Sequence, residues 1–243
     1  MNTGSACVRL ICRIVLVGAA ISFAGCSGVP AEQRMDNWPM YGQPNIPRPE
    51  EFKSFDEAFI KQATEIFGSR ENASKAWFHV GERFTNEGNL DYAMRRYNQS
   101  WLLNPGNYQP FWGFGRVLVA RKKFDEAIEH LEKAKLLCES DPYQKVALEV
   151  DLATAYSLKA DSIPKEQVKE RAHYFDLANQ NYKESIAEDS AFPHSWRQWA
   201  KSLFREEMYS DSWEKVKKAR SLNAPAFPKA FLHELESKIP EPK

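Results

Sequence analysis

The feature that most constrains how this chain can fold is a pattern written twice, thirty-four residues apart, between residues 77 and 142. The first copy carries Trp77, Val80, Gly81 and Phe84, then Ala93, Tyr97, Ser100 and Pro105. The second carries Phe111, Phe114, Gly115 and Leu118, then Ala127, Leu131 and Ala134. Trp77, Val80 and Phe84 fall at helical spacing on one face. Gly81 lies in the same stripe without a side chain, so a second helix can approach closely there. Ala93, Tyr97 and Ser100 offer that second helix a small-large-small face. Neither helix can bury its apolar face alone, so each pair requires neighbours. Between them, Glu87-Gly88-Asn89 supplies residues that tolerate a turn.

A 34-residue period with these residues resembles the tetratricopeptide repeat, W-x2-L-G-x2-Y followed by A-x3-F and then P. The resemblance implies an all-α solenoid of about ten helices, stacked as antiparallel pairs in a right-handed superhelix. It covers about residues 55 to 238, in four repeats whose match weakens after the second.

Taken in order, residues 1–25 read as a signal peptide. Arg9 and Arg13 form a charged start, and Ile14 to Ala24 is an uncharged, mostly apolar run too short to span a bilayer. It ends in Phe23-Ala24-Gly25-Cys26, which resembles the bacterial lipobox apart from Phe23, where leucine is usual. That resemblance makes Cys26 the lipidated mature N-terminus. With Ser27 rather than Asp after it, it implies the outer membrane, facing the periplasm. Residues 26–53 read as a proline-rich tether, since Pro30, Pro39, Pro44, Pro47 and Pro49 oppose helix. Extended, it would reach roughly 80 Å. Trp38 and Tyr41 within it read first as local contacts without function, with docking on the array or a seat at the membrane interface as the alternatives.

Residues 54–68 read as an N-terminal capping helix, with Ser54 and Glu57 as a capping box, an apolar face of Phe55, Ala58, Phe59, Ala63, Ile66 and Phe67, and Gly68 at its end. Four repeats occupy 74–226. The third is lengthened near 157–170, where Tyr156 and Ala178 stand 22 residues apart against 9 between Phe84 and Ala93. Ser162-Ile163-Pro164 reads as a helix start at its protruding tip, near 159–165. The fourth repeat is Trp196, Trp199, Ala200 and Leu203, then Ser212, Val216 and Ala219. Residues 227–243 read as a solvating helix and tail.

The chain balances 33 basic against 33 acidic residues, and loss of the leader removes two basic residues and no acidic one. That balance argues against a nucleic-acid partner. Of Cys7, Cys12, Cys26 and Cys138, only Cys138 remains as a thiol once the leader leaves and Cys26 carries lipid. The five histidines, at 79, 130, 173, 194 and 233, form no H-E-x-x-H or other metal spacing. Gly113-Phe-Gly115 lacks the third glycine of a dinucleotide loop, and no G-x-S-x-G elbow occurs. No enzyme, metal or cofactor is implied.

What remains is surface. The resemblance places first helices along a concave groove, with a row at four-residue intervals facing inward. The row is Phe78, Glu82 and Asn86 in the first repeat, and Trp112, Arg116 and Ala120 in the second. It continues as Val150, Thr154 and Leu158, and ends as Arg197, Lys201 and Arg205. The groove would be aromatic in its middle, with Trp112 as an apolar anchor, and basic at its end. Phe78 and Glu82 stand where chaperone-binding relatives carry Lys and Asn, which argues against a chaperone-tail role. The expected function is a lipid-anchored scaffold or adaptor for a protein or peptide partner with an acidic segment. Relatives of this architecture serve as pilus or secretin assembly factors, protease adaptors and outer-membrane assembly subunits. Rival expectations are a permanent structural subunit docked by its convex face, and a hidden enzyme.

Overall fold

The computed structural model describes residue 30, residues 33–138 and residues 142–242. The leader and the lipidation site at Cys26 lie outside the described residues. From Met35 onward the chain forms one unit, and its described residues are helical, with turns and no strand. Among the described residues ten α-helices follow one another: α1 (Lys53–Phe67), α2 (Arg70–Asn86), α3 (Leu90–Leu103), α4 (Tyr108–Ala120), α5 (Phe124–Leu137), α6 (Pro142–Ser162), α7 (Val168–Glu188), α8 (Pro193–Arg205), α9 (Tyr209–Ser221) and α10 (Lys229–Lys238). They pair as α2–α3, α4–α5, α6–α7 and α8–α9, and the first helices of adjacent pairs also touch. No helix among the described residues is long and apolar enough to cross a membrane.

Caps fix where the helices begin. Ser69 Oγ accepts from the Asn72 N–H at 3.1 Å to start α2, and Asn107 Oδ1 accepts from the Gln109 N–H at 3.0 Å to start α4. The turns inside three pairs share one design. A residue with positive φ closes the first helix: Gly88 at 75°, Lys122 at 60° and Glu207 at 66°. The next N–H then reaches back five residues, Asn89 to Phe84 O, Lys123 to Leu118 O and Met208 to Leu203 O, at 2.8 to 2.9 Å. Only Gly88 adopts this conformation without a Cβ penalty.

Missing side chains let the pairs close. A Cβ at Gly81 would sit 2.4 Å from Tyr97 Cε1, and one at Gly113 would sit 2.5 Å from the same ring. Tyr97, fully buried, is therefore clasped between α2 and α4. Gly115 gives the same room to Leu131, whose Cγ would lie 2.4 Å from a Cβ there. The core runs from Phe78 to Tyr182, and a second cluster around Trp213, Phe227 and Leu235 seals the C-terminal end. There Phe231 meets Phe204 at 5.5 Å between ring centroids, and Trp213 Nε1 donates to Ile239 O at 3.0 Å. The third pair is made of two 21-residue helices. Ser162-Ile163-Pro164 ends α6 rather than starting α7, because Arg171 Nη1 donates to Ala160 O and Ile163 O and so satisfies that end.

Two expectations fail at the N-terminal side. The tether does not run free to residue 53: Met35–Phe52 folds as three short 3-10 turns packed on α3 and α1. Its main chain is held by side chains. Asn98 accepts from the Tyr41 N–H at 2.8 Å and donates to Asp36 O and Trp38 O at 3.0 and 2.8 Å. Arg121 donates to Asn37 O at 2.9 Å. Tyr41 is buried beneath the Arg48 guanidinium, 3.9 Å from the ring centroid. Prolines prevent a regular helix here but not a packed turn, because the partners come from elsewhere in the chain. The second failure is the capping box. The helix starts at Lys53 with Phe52 as its cap and no side-chain bond, and of the expected apolar face only Ala63 is buried while Phe55 is exposed.

Candidate functional site

The candidate site lies on the face formed by the first helices α2, α4, α6 and α8. In each pair the close-approach position (Gly81, Gly115, Ala153, Ala200) sets a local register. The residue three before it is Phe78, Trp112, Val150 or Arg197. Phe78 and Trp112 are 2 % and 6 % exposed and Val150 is fully buried, which corrects the expectation that Phe78 and Trp112 line an open groove. They are buried because this position packs against the next pair. Phe78 stacks on Trp112 at 6.3 Å between centroids, and Trp112 Nε1 donates to Asp151 Oδ2 of α6 at 2.7 Å. In the fourth pair the same position holds Arg197, half-buried against the segment that leads into α10. Its guanidinium donates to Pro225 O at 3.1 Å and Ala226 O at 3.3 Å and lies over Phe227.

The residue one after the register position is half-buried in every pair: Glu82, Arg116, Thr154 and Lys201. In the first half these charges meet opposite ones. Arg116 lies 3.4 Å from Glu82 Oε1 and 3.9 Å from Asp151 Oδ2, and His79 Nδ1 lies 2.9 Å from Glu82 Oε2. Thr154 is spent on structure: its hydroxyl donates to Val150 O at 2.8 Å and meets Tyr182 Oη at 3.0 Å. Asn86 and Ala120, farther along the row, are exposed, and Leu158 is half-buried.

The fourth helix is different. Arg197, Lys201 and Arg205 follow at four-residue intervals on α8, and among the described residues none of them pairs with a carboxylate. Arg205 Nη1 reaches the buried Ser157 hydroxyl of α6 at 3.3 Å. Lys201 stands between the two arginines; burial, then the charges of Arg197 and Arg205, push its ammonium down from 10.5 to about 8. His194, one turn earlier, is held below its ordinary value chiefly by burial, with Arg197, Lys201 and Arg116 adding to that and Asp151 opposing. Elsewhere lysines find acids: Lys135 lies 2.6 Å from Glu184 and 3.6 Å from Glu149, and Lys145 pairs with Glu188 and lies 3.7 Å from Glu149. The row on α8 is thus a concentration of uncompensated positive charge, partly withdrawn from water.

Of the residues expected at a groove, Glu82, Arg116, Thr154, Arg197, Lys201 and Arg205 are half-buried positions of the first helices, whereas Phe78 and Trp112 are buried in the core. Sequence reasoning missed Asp151 and His194. Both are one-off charges at positions where the other repeats carry different residues, so the 34-residue pattern gives them no weight. No group of His, Cys, Asp or Glu among the described residues is arranged to hold a metal ion.

No family model and no curated protein matches the sequence. Solved structures do resemble it. A chain of the APC/C hetero-tetramer Cut9-Hcn1 superposes with a TM-score of 0.54 at 15 % identity, over 77 % of this chain and 36 % of that one. The chain therefore spans about a third of that relative's length. A structure of Pseudomonas aeruginosa pilF gives a TM-score of 0.48 at 15 % identity, over 77 % of this chain and 86 % of that one. The fold is the tetratricopeptide-repeat solenoid.

Proposed function

We propose that this chain is an outer-membrane lipoprotein, anchored through Cys26 and facing the periplasm, that serves as an adaptor in the assembly of an envelope, secretion or pilus complex. Its partner is a protein or peptide that places an acidic segment on α8. The observation that carries the binding reading is the row Arg197, Lys201 and Arg205, half-buried and without a carboxylate among the described residues. Like charges held together out of water are unfavourable in the empty protein and are relieved by an anionic partner. The aromatic anchor once expected at Trp112 is not part of this reading, because Trp112 is core.

The anchoring reading is supported by Phe23-Ala24-Gly25-Cys26 and by the apolar run before it. With Met35 already packed on α3, the stretch from Cys26 to Met35 spans about 30 Å at most, a far shorter leash than a free tether. One experiment tests both parts. Membranes from cells with wild type, Cys26→Ala, or Arg197→Glu with Lys201→Glu are crosslinked, fractionated and captured at low and high salt. Cys26→Ala leaves the outer-membrane fraction, and the charge reversal loses the partner while the protein stays in that fraction. Wild type that takes up no labelled palmitate, together with Cys26→Ala that sediments unchanged, contradicts the anchor. Unchanged capture by the reversed variant at both salts contradicts the site.

A further inference from the structure

The segment ahead of the repeats is held mainly by polar contacts. Over residues 35–67 only Asn37, Tyr41, Gly42 and Ala63 are buried, whereas α4 alone buries Phe111, Trp112, Phe114, Val117 and Leu118. The 3-10 turns form a strap across α3. They are tied down by the Asn98 amide, by Arg121 on Asn37 O, and by Arg95 Nε, 3.1 Å from Asp36 Oδ2. Water replaces these bonds once the strap lifts, so their net contribution is modest. The strap also stores strain. Met40 and Tyr41 both sit at φ 54°, in the left-handed region where a Cβ is penalised. Segments with few buried apolar contacts lie at the low end of local stability.

The strap and α1 are joined. Arg48 Nε and Nη2 donate to the two carboxylate oxygens of Asp56 on α1. The same guanidinium covers the rings of Tyr41 at 3.9 Å and Phe52 at 5.4 Å. One side chain thus couples the strap to the helix. The packing of α1 on α2 is led by Ala63 and by Phe59, whose ring lies 5.6 Å from that of Trp77. Between α1 and α2 stands Gly68, with φ 78° and nothing within 4 Å of where a Cβ would be. It is an open and permissive joint.

We propose that Met35–Phe67 is a latch: the strap and α1 lift from α3 and α2 together, about Gly68, while the repeat pairs stay folded. Closed, the latch holds the stretch from Cys26 to the array to about 30 Å; open, the chain from Cys26 to Lys53 alone reaches about 90 Å. The reach rests on the anchoring through Cys26 proposed above, and the opening does not. The device gives an anchored array a near and a far range.

The opening is tested by amide hydrogen exchange on the full chain under native conditions. The Tyr41 amide, which donates to Asn98, and the central amides of α1 are expected to share one exchange rate, about a hundredfold or more above that of the α4 and α5 core. Tyr41→Ala lies outside the repeats and should raise both rates about tenfold further, as should Asn98→Ala, without moving α4 and α5. Arg48→Gln should split the strap from α1. Strap and α1 rates that differ in wild type, or that rise only with those of α4 and α5, overturn the latch. Equal rates in Arg48→Gln overturn the coupling through Arg48. The reach is tested with the lipidated chain in phosphatidylethanolamine–phosphatidylglycerol vesicles that carry an acceptor lipid. The donor dye sits on Lys133→Cys, an exposed position of α5, and Cys138 is buried. Energy transfer is expected to fall about twofold or more in Asn98→Ala. Unchanged transfer alongside raised exchange overturns the longer reach. A wild-type chain that carries no lipid contradicts the anchoring reading and leaves the exchange result to decide the latch.

Discussion

The two halves of the first-helix face are built from the same repeat and end in opposite conditions. Over α2, α4 and α6, aromatic residues are buried between successive pairs and the charges close on one another: Glu82 with Arg116, and Asp151 with both Arg116 and Trp112 Nε1. Over α8, three cations share a face; Arg197 binds two carbonyl oxygens and Arg205 a hydroxyl oxygen. The difference follows from position in the stack. An internal first helix is covered on both sides, so its inward positions are chosen for packing. After α9 the described residues supply one helix, α10, rather than a further pair, and the register position on α8 holds Arg197, bound to the segment that leads into α10.

This contrast can be broken from the packed side first. Tyr97→Ala empties the place clasped by Gly81 and Gly113 and should cost about 3 to 5 kcal/mol, read by chemical denaturation. A loss below 1 kcal/mol would mean that α2 and α4 are not held through this ring. A second measurement uses acid. His130 packs between Phe111 and Phe114 at 6.2 and 5.4 Å, and burial pushes it down from 6.5 to about 4. Its neutral form is favoured in the folded state. The stability this contributes is complete above pH 6.5 and is lost as pH falls toward 4, by up to about 3 kcal/mol. His130→Phe should flatten that part of the profile; a profile of unchanged slope would remove His130 as its source.

Smaller effects sharpen the comparison. Asp151→Ala leaves Trp112 Nε1 without its acceptor and Arg116 with one acid fewer, at a cost of about 1 to 3 kcal/mol. The matching change on the other half, Lys201→Met, should move the melt by no more than about 0.5 kcal/mol. Equal losses from the two would erase the distinction between a structural half and a binding half. Lys122→Gly, at a turn where φ is 60°, should add roughly 0.5 to 1 kcal/mol.

How far the sequence shows all this depends on what repeats. The close approaches at Gly81 and Gly115 were legible because glycine recurs 34 residues later at a fixed place in an apolar stripe. The row Arg197, Lys201 and Arg205 was legible because four-residue spacing puts side chains on one helical face. Which side of that face is covered was not legible: Phe78 and Trp112 have the same spacing as Arg197, and only the stacking of the next pair buries them. The packing of Met35–Phe52 was hidden for a related reason. Asn98 and Arg121 bind its backbone, and backbone carries no sequence signal. Trp38 and Tyr41, singled out among the prolines, were the visible traces of it.

The central claim, that α8 carries uncompensated charge kept partly from water for an anionic partner, is tested most directly by titrating Lys201 itself. Selectively labelled lysine Nζ or Cε resonances, assigned through Lys201→Arg, report its ionisation in the full chain with and without a glutamate-rich peptide. The account predicts a midpoint near 8 in the empty protein, moving upward when the peptide binds. A midpoint at the ordinary 10.5 that does not move on binding would contradict it.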